Sequence, residues 1–100
     1  MATTTKALVR AAAATSTATL YTVPASTTTV ISNIVVTNSA ATAATFTLTL
    51  NSVDIFTTSA IAANSTAMFD LKQVMATTQI IAGFASAVTV KFHISGVEIV

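Results

Sequence analysis

Residues 20–50 decide the fold of this 100-residue chain, and they read LYTVPASTTTVISNIVVTNSAATAATFTLTL. Thr28–Asn38 is rich in β-branched apolar and hydroxyl residues, and apolar and hydroxyl residues alternate with a period of two along Ala43–Leu50. This alternation is typical of half-buried β-strands, because successive side chains point to opposite faces of a sheet. The stretch therefore predicts strands whose outer face carries threonine in place of lysine and glutamate.

The segment Thr28–Asn38 is predicted to be a central strand. Bulky side chains occupy both of its faces, as expected for a strand that is covered on both sides. Simple alternation places Val30, Ile34 and Val36 on one face and Ile31 and Val35 on the other.

A two-residue hairpin turn is predicted at residues 51–52, which read Asn-Ser. Asparagine tolerates the positive φ that tight hairpin turns require, although glycine suits the second position better than serine. Such a turn pairs Leu50 with Val53. Continuing the same register pairs Leu48 with Ile55, and all four side chains then share the inward face.

The rest of the chain contains further short alternating runs and no amphipathic helix. Strands are predicted at Leu20–Val23, Thr66–Leu71, Thr78–Phe84 and from Ala87 onward. Lys72–Met75 is predicted to form a short helical turn. In the last strand Val88 begins an inward set that continues through Val90, Phe92 and Ile94. A β-bulge at Ser95–Gly96 is expected, because the apolar positions shift by one residue to Val97 and Ile99.

These patterns predict an all-β fold consisting of a single antiparallel β-sandwich. Six to eight short strands at regular spacing, with turns between them, are the signature of that architecture. A jelly-roll and an immunoglobulin-like topology both remain open. The sandwich is expected over residues 20–100, preceded by an extended low-complexity N-terminal arm over residues 1–19.

The composition argues against several classes of function. Charged residues make up 7% of the chain and the net charge is +1, so no field attracts nucleic acid. The chain has no cysteine, which excludes thiolate catalysis and thiolate-bound zinc. Hydroxyl residues interrupt every apolar run, so no membrane-spanning helix is expected. A surface this poor in charge favours a building block of an assembly over a solitary monomer.

The titratable residues do not form a catalytic pattern. His93 is the only histidine, and no glycine-flanked nucleophile accompanies it. The acidic side chains Asp54, Asp70 and Glu98 are far apart in the sequence, whereas acid–base catalysis or a hard metal needs at least two carboxylates together. The two glycines cannot form a phosphate-binding loop. We therefore expect no enzyme activity, cofactor or metal site.

The expected functional residues form a subunit-contact surface. The N-terminal arm contributes its apolar pair, Leu8 and Val9, because an extended arm can add to the sheet edge of a neighbour. The outward threonines of the second strand and one aromatic residue complete the surface, since the hairpin register places that aromatic side chain on the threonine face. These residues are Thr45, Thr47, Thr49 and Phe56.

The chain resembles small virion structural proteins of tailed bacteriophages. The resemblance lies in YTVPASTTTVISNIVVTN from Tyr21, ATFTLTLNSVDI from Ala44 and ISGVEI from Ile94. It differs at Ser26 and Ser52, where glycine would be expected. Proteins of this kind are β-sandwich modules of head decoration proteins, tails and fibre-associated pieces, so the resemblance implies no catalytic residues.

The resulting functional expectation is a non-enzymatic structural protein of a bacteriophage virion, assembled in the bacterial host cytoplasm. A head decoration or cement protein that stabilises the capsid is the leading interpretation. Its expected partners are the major capsid protein or other virion proteins and further copies of itself, a trimer being one option. The alternatives are a tail, baseplate or fibre-associated component and a carbohydrate-binding adhesin module.

Overall fold

The computed structural model describes residues 3–100, which fold entirely into β-strands, turns and loops. The strands are β1 (Thr3–Ala12), β2 (Ala18–Thr22), β3 (Thr28–Asn38), β4 (Ala44–Leu50), β5 (Val53–Ile61), β6 (Ser65–Met75), β7 (Ile80–Ala85) and β8 (Val90–Ile99). Over these residues, no helix has the length and apolar character needed to cross a membrane.

The eight strands form two antiparallel four-stranded sheets. Sheet A has the order β1-β8-β3-β6, and sheet B has the order β2-β7-β4-β5. The predicted antiparallel β-sandwich is confirmed, as is the central position of β3. Of the two topologies left open, this strand order is that of the eight-stranded jelly roll.

The core lies between the two sheets and is built from aromatic and branched side chains. Phe46 of sheet B meets Phe92 of sheet A edge to face, with their ring centroids 6.1 Å apart. The fully buried side chains around this pair include Ile34, Leu48 and Ile94. This packing explains the inward positions predicted for β4 and for the middle of β8.

The β4–β5 hairpin has the predicted turn but not the full predicted register. Asn51 and Ser52 have φ values of 52° and 64°, so a two-residue turn with two left-handed residues joins Leu50 to its partner Val53. The predicted pairing of Leu48 with Ile55 is wrong, and Val53, predicted to point inward, is exposed. The register shifts after Thr49, which leaves an extra residue in β5 and pairs Leu48 with Phe56.

A row of strand irregularities crosses sheet A beside Gly96. β8 keeps a regular alternation past this glycine, so the predicted bulge at Ser95–Gly96 is wrong. The register shifts instead arise from extra residues in the two neighbouring strands, at Leu8 in β1 and Ser32 in β3. A Cβ at position 96 would collide with the carbonyl oxygen of Val30, so glycine lets the neighbouring strand approach closely.

These shifts change which residues point into the core. In β3, Ile31 shares the buried side with Ile34 and Val36, whereas Val30 and Val35 lie on the outer side, so the predicted grouping of Val30 with Ile34 and of Ile31 with Val35 is wrong. In β8, Val97 and Ile99 lie on the outer side, because the unbroken alternation places Glu98 on the same side as Gly96.

Two local predictions are also wrong. Lys72–Met75 forms no helical turn and continues strand β6 to its end. Val88, predicted to point inward, is exposed in the turn before β8. Residues 73–75 pair with β3 over the range Thr29–Ile31, a non-local contact that extends this segment and outweighs local preference.

The segment predicted as an N-terminal arm contributes strand β1. Over Thr3–Ala12 this strand pairs with β8 of the same chain and forms one edge of sheet A. Residues 1–2 of the predicted arm lie outside the described residues.

Candidate interaction surface

The two apolar residues predicted to contact a neighbour lie in the core of their own subunit. Leu8 is 8% exposed and Val9 is 5% exposed. The bulge in β1 directs both consecutive side chains toward buried neighbours, because the register shift lies between Ala7 and Val9. Little of either side chain is accessible to a partner.

The threonine side chains of β4 point away from the core as predicted, but their own sheet largely covers them. Thr47 is buried, and its Oγ1 accepts a hydrogen bond from the backbone N–H of Thr58 at 3.0 Å. Thr49 is half-buried, and its Oγ1 donates to the carbonyl of Ala82 at 3.3 Å. Thr45 is half-buried as well. These hydroxyls serve mainly to hold β5 and β7 beside β4.

Phe56 points inward, so its predicted position on the threonine face is wrong. The extra residue before it in β5 turns its ring toward the core, where it lies 5.5 Å from Phe46 and 4.6 Å from Phe69 of sheet A, measured between ring centroids. The ring therefore joins the two sheets. Contact between these residues and another subunit stays a prediction. Because most of their side-chain surface is covered within their own subunit, other surfaces of the fold are more accessible to a partner.

The outer face of sheet A, the side that points away from sheet B, presents rows of apolar side chains among charged and hydroxyl residues. Register pairing aligns two rows of side chains across all four strands of this sheet. The first row is Arg10, His93, Val35 and Met68, and the second is Thr5, Val97, Val30 and Val74. At the β6 end, Met68 is 78% exposed and Val74 is 71% exposed. Apolar side chains presented in this way are typical of contact surfaces.

A shallow groove interrupts this face where the bulges cross it. It has a volume of about 460 Å³ and is lined by Ser32, Asp70, Leu71 and Lys72. Next to it, the side-chain oxygen Oδ1 of Asn33 is buried without a hydrogen bond. The groove therefore carries the Asp70 carboxylate and the Lys72 ammonium group at the β6 edge of sheet A.

The remaining titratable residues are dispersed. His93 is exposed on the outer face of sheet A, with Arg10 and Val35 directly opposite it on the neighbouring strands. Asp54 accepts a hydrogen bond from the Thr57 hydroxyl at 2.9 Å at the edge of sheet B. Within residues 3–100, no three His, Cys, Asp or Glu side chains come close enough together to hold a metal ion.

One polar cluster joins the two sheets and was missed by the sequence reasoning. The Tyr21 hydroxyl of sheet B donates to the Glu98 carboxylate and lies 2.9 Å from the Thr29 hydroxyl. Lys6 Nζ lies 3.4 Å from both carboxylate oxygens of Glu98. Burial, followed by the hydrogen bond to Glu98, raises the pKa of Tyr21 above its ordinary value. The sequence signal for this contact was the unbroken alternation of β8, which places Glu98 on the inner side of sheet A.

Comparison with known proteins adds no relative: no protein-family model and no curated protein matches the chain.

Proposed function

We propose that the protein is a non-enzymatic structural subunit of a tailed bacteriophage particle, where it acts as a head decoration protein. In this role it binds the major capsid protein and reinforces the shell from the virion surface. The sequence resemblance to small phage structural proteins supports the proposal. The jelly roll supports it at the level of fold only, because viral capsid domains share this architecture with lectins and cupins.

The observation that carries the proposal is the outer face of sheet A. Its two rows place large apolar side chains beside Arg10 and His93, with the most exposed of them, Met68 and Val74, at the β6 end, and charged residues such as Lys91 and Asp70 lie between and beside the rows. An assembly partner would remove these side chains from water, at about 25 cal/mol per Å² of apolar area. Many copies on a repeating shell reinforce one another, so each single contact can be weak.

The direct test is an electron-microscopy map of the native particle. Density for this fold on the head lattice, with the outer face of sheet A toward the capsid, is the expected result. Density only along the tail would favour the tail-associated alternative, and particles that lack the protein altogether would refute a virion role.

A binding assay isolates the proposed surface. Particles stripped of the protein are mixed with purified Val97→Lys, which places a charge in the middle of the outer face. Val88→Lys is the matched control, because Val88 is exposed in the turn before β8. We expect the first variant to lose co-sedimentation with particles and the second to keep it. Equal binding by both variants would contradict the assignment of this face.

A further inference from the structure

We propose that two copies of the chain join strand β6 to strand β6, antiparallel about a two-fold axis at Leu71, so that their two A sheets form one continuous eight-stranded sheet. This inference goes beyond the proposed function, which concerns binding to the capsid, and it names an edge, a register and a symmetry for self-association. It requires no bacteriophage particle.

Strand β6 is a free edge of unusual length and composition. It spans the eleven residues Ser65–Met75 and pairs on one side with β3. Within residues 3–100 no strand lies on its other side, so its outward N–H and C=O groups are free to pair with an added strand. Exposed edges are normally protected by proline, charge or a β-bulge. Strand β6 contains no proline, its two charges Asp70 and Lys72 are opposite in sign, and its pairing with β3 is irregular only where Leu71 and Lys72 lie opposite Ser32.

The side chains of β6 are arranged symmetrically about Leu71. Asp70 and Lys72 lie one residue to either side, and both are exposed. Three residues to either side lie Met68 and Val74, the two most exposed large apolar side chains of the described chain, at 78% and 71%. Pairing with β3 places Met68, Asp70 and Val74 on the outer face, and alternation along β6 places Lys72 there as well, next to the irregularity opposite Ser32. A two-fold contact requires such self-complementarity, because each residue meets the residue at the mirrored distance from the axis.

An axis at Leu71 matches every one of these side chains with a suitable partner. Asp70 lies opposite the second copy's Lys72, and the reverse pair forms on the other side of the axis. Met68 likewise lies opposite the second copy's Val74. Directly opposed side chains of opposite charge and apolar pairs both stabilise an antiparallel ladder. Within residues 3–100 neither Asp70 nor Lys72 forms an ion pair, so both are available.

The same charges disfavour other registers. Moving the axis to Asp70 places two aspartates directly opposite each other, and moving it to Lys72 does the same with two lysines, which is destabilising. A slip by a single residue sets the outer face of one copy beside the inner face of the other. Of the registers that align the outer faces, the axis at Leu71 is the one that sets Asp70 directly opposite Lys72.

Charge reversal tests the pairing. Asp70→Lys and Lys72→Asp should each weaken the dimer at least about tenfold in dissociation constant, because each variant faces only like charges across the interface. An equimolar mixture of the two variants should restore a heterodimer, in which every pair is again opposite in sign. Asp54→Lys, which makes the same charge change on sheet B, should leave the dimer unchanged. Sedimentation velocity and native mass spectrometry read out both species.

A single cysteine tests the register. The chain has no cysteine of its own. Directly opposed residues of antiparallel strands have Cα atoms about 4.5–5.5 Å apart, within the range of about 4.4–6.8 Å that a disulfide spans. Leu71→Cys should therefore form a covalent dimer on mild oxidation. The control Thr66→Cys should not, because its mate would lie ten residues away, about 33 Å along the strands.

The outcomes separate this inference from the proposed function. A wild-type protein that remains monomeric at its highest attainable concentration would overturn the inference. A dimer whose dissociation constant is unchanged by charge reversal at both positions would also overturn the inference, as would a Leu71→Cys variant that does not cross-link. Circular dichroism of each variant establishes that it is folded. A monomer that still binds particles refutes only the dimer, and a dimer that never binds particles refutes only the virion role.

Discussion

Replacing Phe56 by alanine tests the bulge that separates the observed β4–β5 register from a regular one. The ring lies between Phe46 and Phe69, with centroid distances of 5.5 Å and 4.6 Å. A fully buried phenylalanine loses about 3–5 kcal/mol on truncation to alanine, and each aromatic pair contributes about 0.5–1.5 kcal/mol beyond its buried area. Because Phe56 is half-buried, we expect Phe56→Ala to lower the free energy of unfolding by about 2–3 kcal/mol.

The regular hairpin register makes a different prediction. It would place Phe56 on the outer side of sheet B, where truncation of a surface residue changes stability by no more than about 0.5 kcal/mol. Val53→Ala serves as the internal control, because Val53 lies in the same strand and is 68% exposed. Its expected effect is also within about 0.5 kcal/mol.

Urea denaturation followed by circular dichroism measures both variants. The protein concentration is held fixed, since self-association makes apparent stability depend on concentration. For a domain of this size, the loss expected for Phe56→Ala lowers the melting temperature by roughly 10 °C or more. If Phe56→Ala costs no more than Val53→Ala, the ring does not bridge the two sheets and the assigned bulge is incorrect.

Three further changes test other parts of the fold. Gly96→Ala should lower the free energy of unfolding by about 1–3 kcal/mol in urea titration, because its Cβ would collide with the Val30 carbonyl oxygen, a backbone atom that cannot rotate away. Ser52→Gly should raise it by about 1 kcal/mol in the same titration, because φ at this position is 64° and glycine adopts that value without strain. Tyr21→Phe should lower it by about 1 kcal/mol at neutral pH through loss of the hydrogen bond to Glu98. Because the folded state raises the pKa of Tyr21 above 10.0, that advantage of the wild type should persist up to pH 10 and fade as the pH rises through the folded pKa, so a stability gap that widens above pH 10 would contradict the assignment.

Properties that depend on neighbouring residues in the sequence were predictable. The limits of β3 follow from the β-branched apolar and hydroxyl residues of Thr28–Asn38, and the turn at Asn51 follows from its tolerance of positive φ. Even the two positions where glycine would be expected by resemblance, Ser26 and Ser52, adopt left-handed backbone conformations, with φ values of 56° and 64°. Local pattern and turn chemistry therefore carry the all-β class and the approximate strand count.

Most of the errors arise where one strand must match the register of the strand beside it, whether that strand is distant in the sequence or adjacent, as in the β4–β5 hairpin. Counting by two along β3 cannot reveal that Ser32 is an extra residue, because the bulge exists only relative to β8. Gly96 lies at the position along sheet A where the register shifts, but the extra residues belong to the neighbouring strands β1 and β3. The same limitation placed Phe56 on the wrong face and hid the contact between Tyr21 and Glu98.

The charges of β6 show how topology converts ordinary residues into a candidate interface. In the sequence, Asp70 and Lys72 are two charged residues with no special spacing. They can pair with charges of a second copy only because β6 is an edge strand. Joining two such edges about Leu71 would extend the outer face of sheet A without a break across both copies, since Met68 and Val74 sit at the seam. A particle-binding surface centred on Val97 would then be present twice on one rigid body. Two linked sites bind a repeating lattice more tightly than either alone, so the edge contact and the face contact support the same assembly by separate physical means.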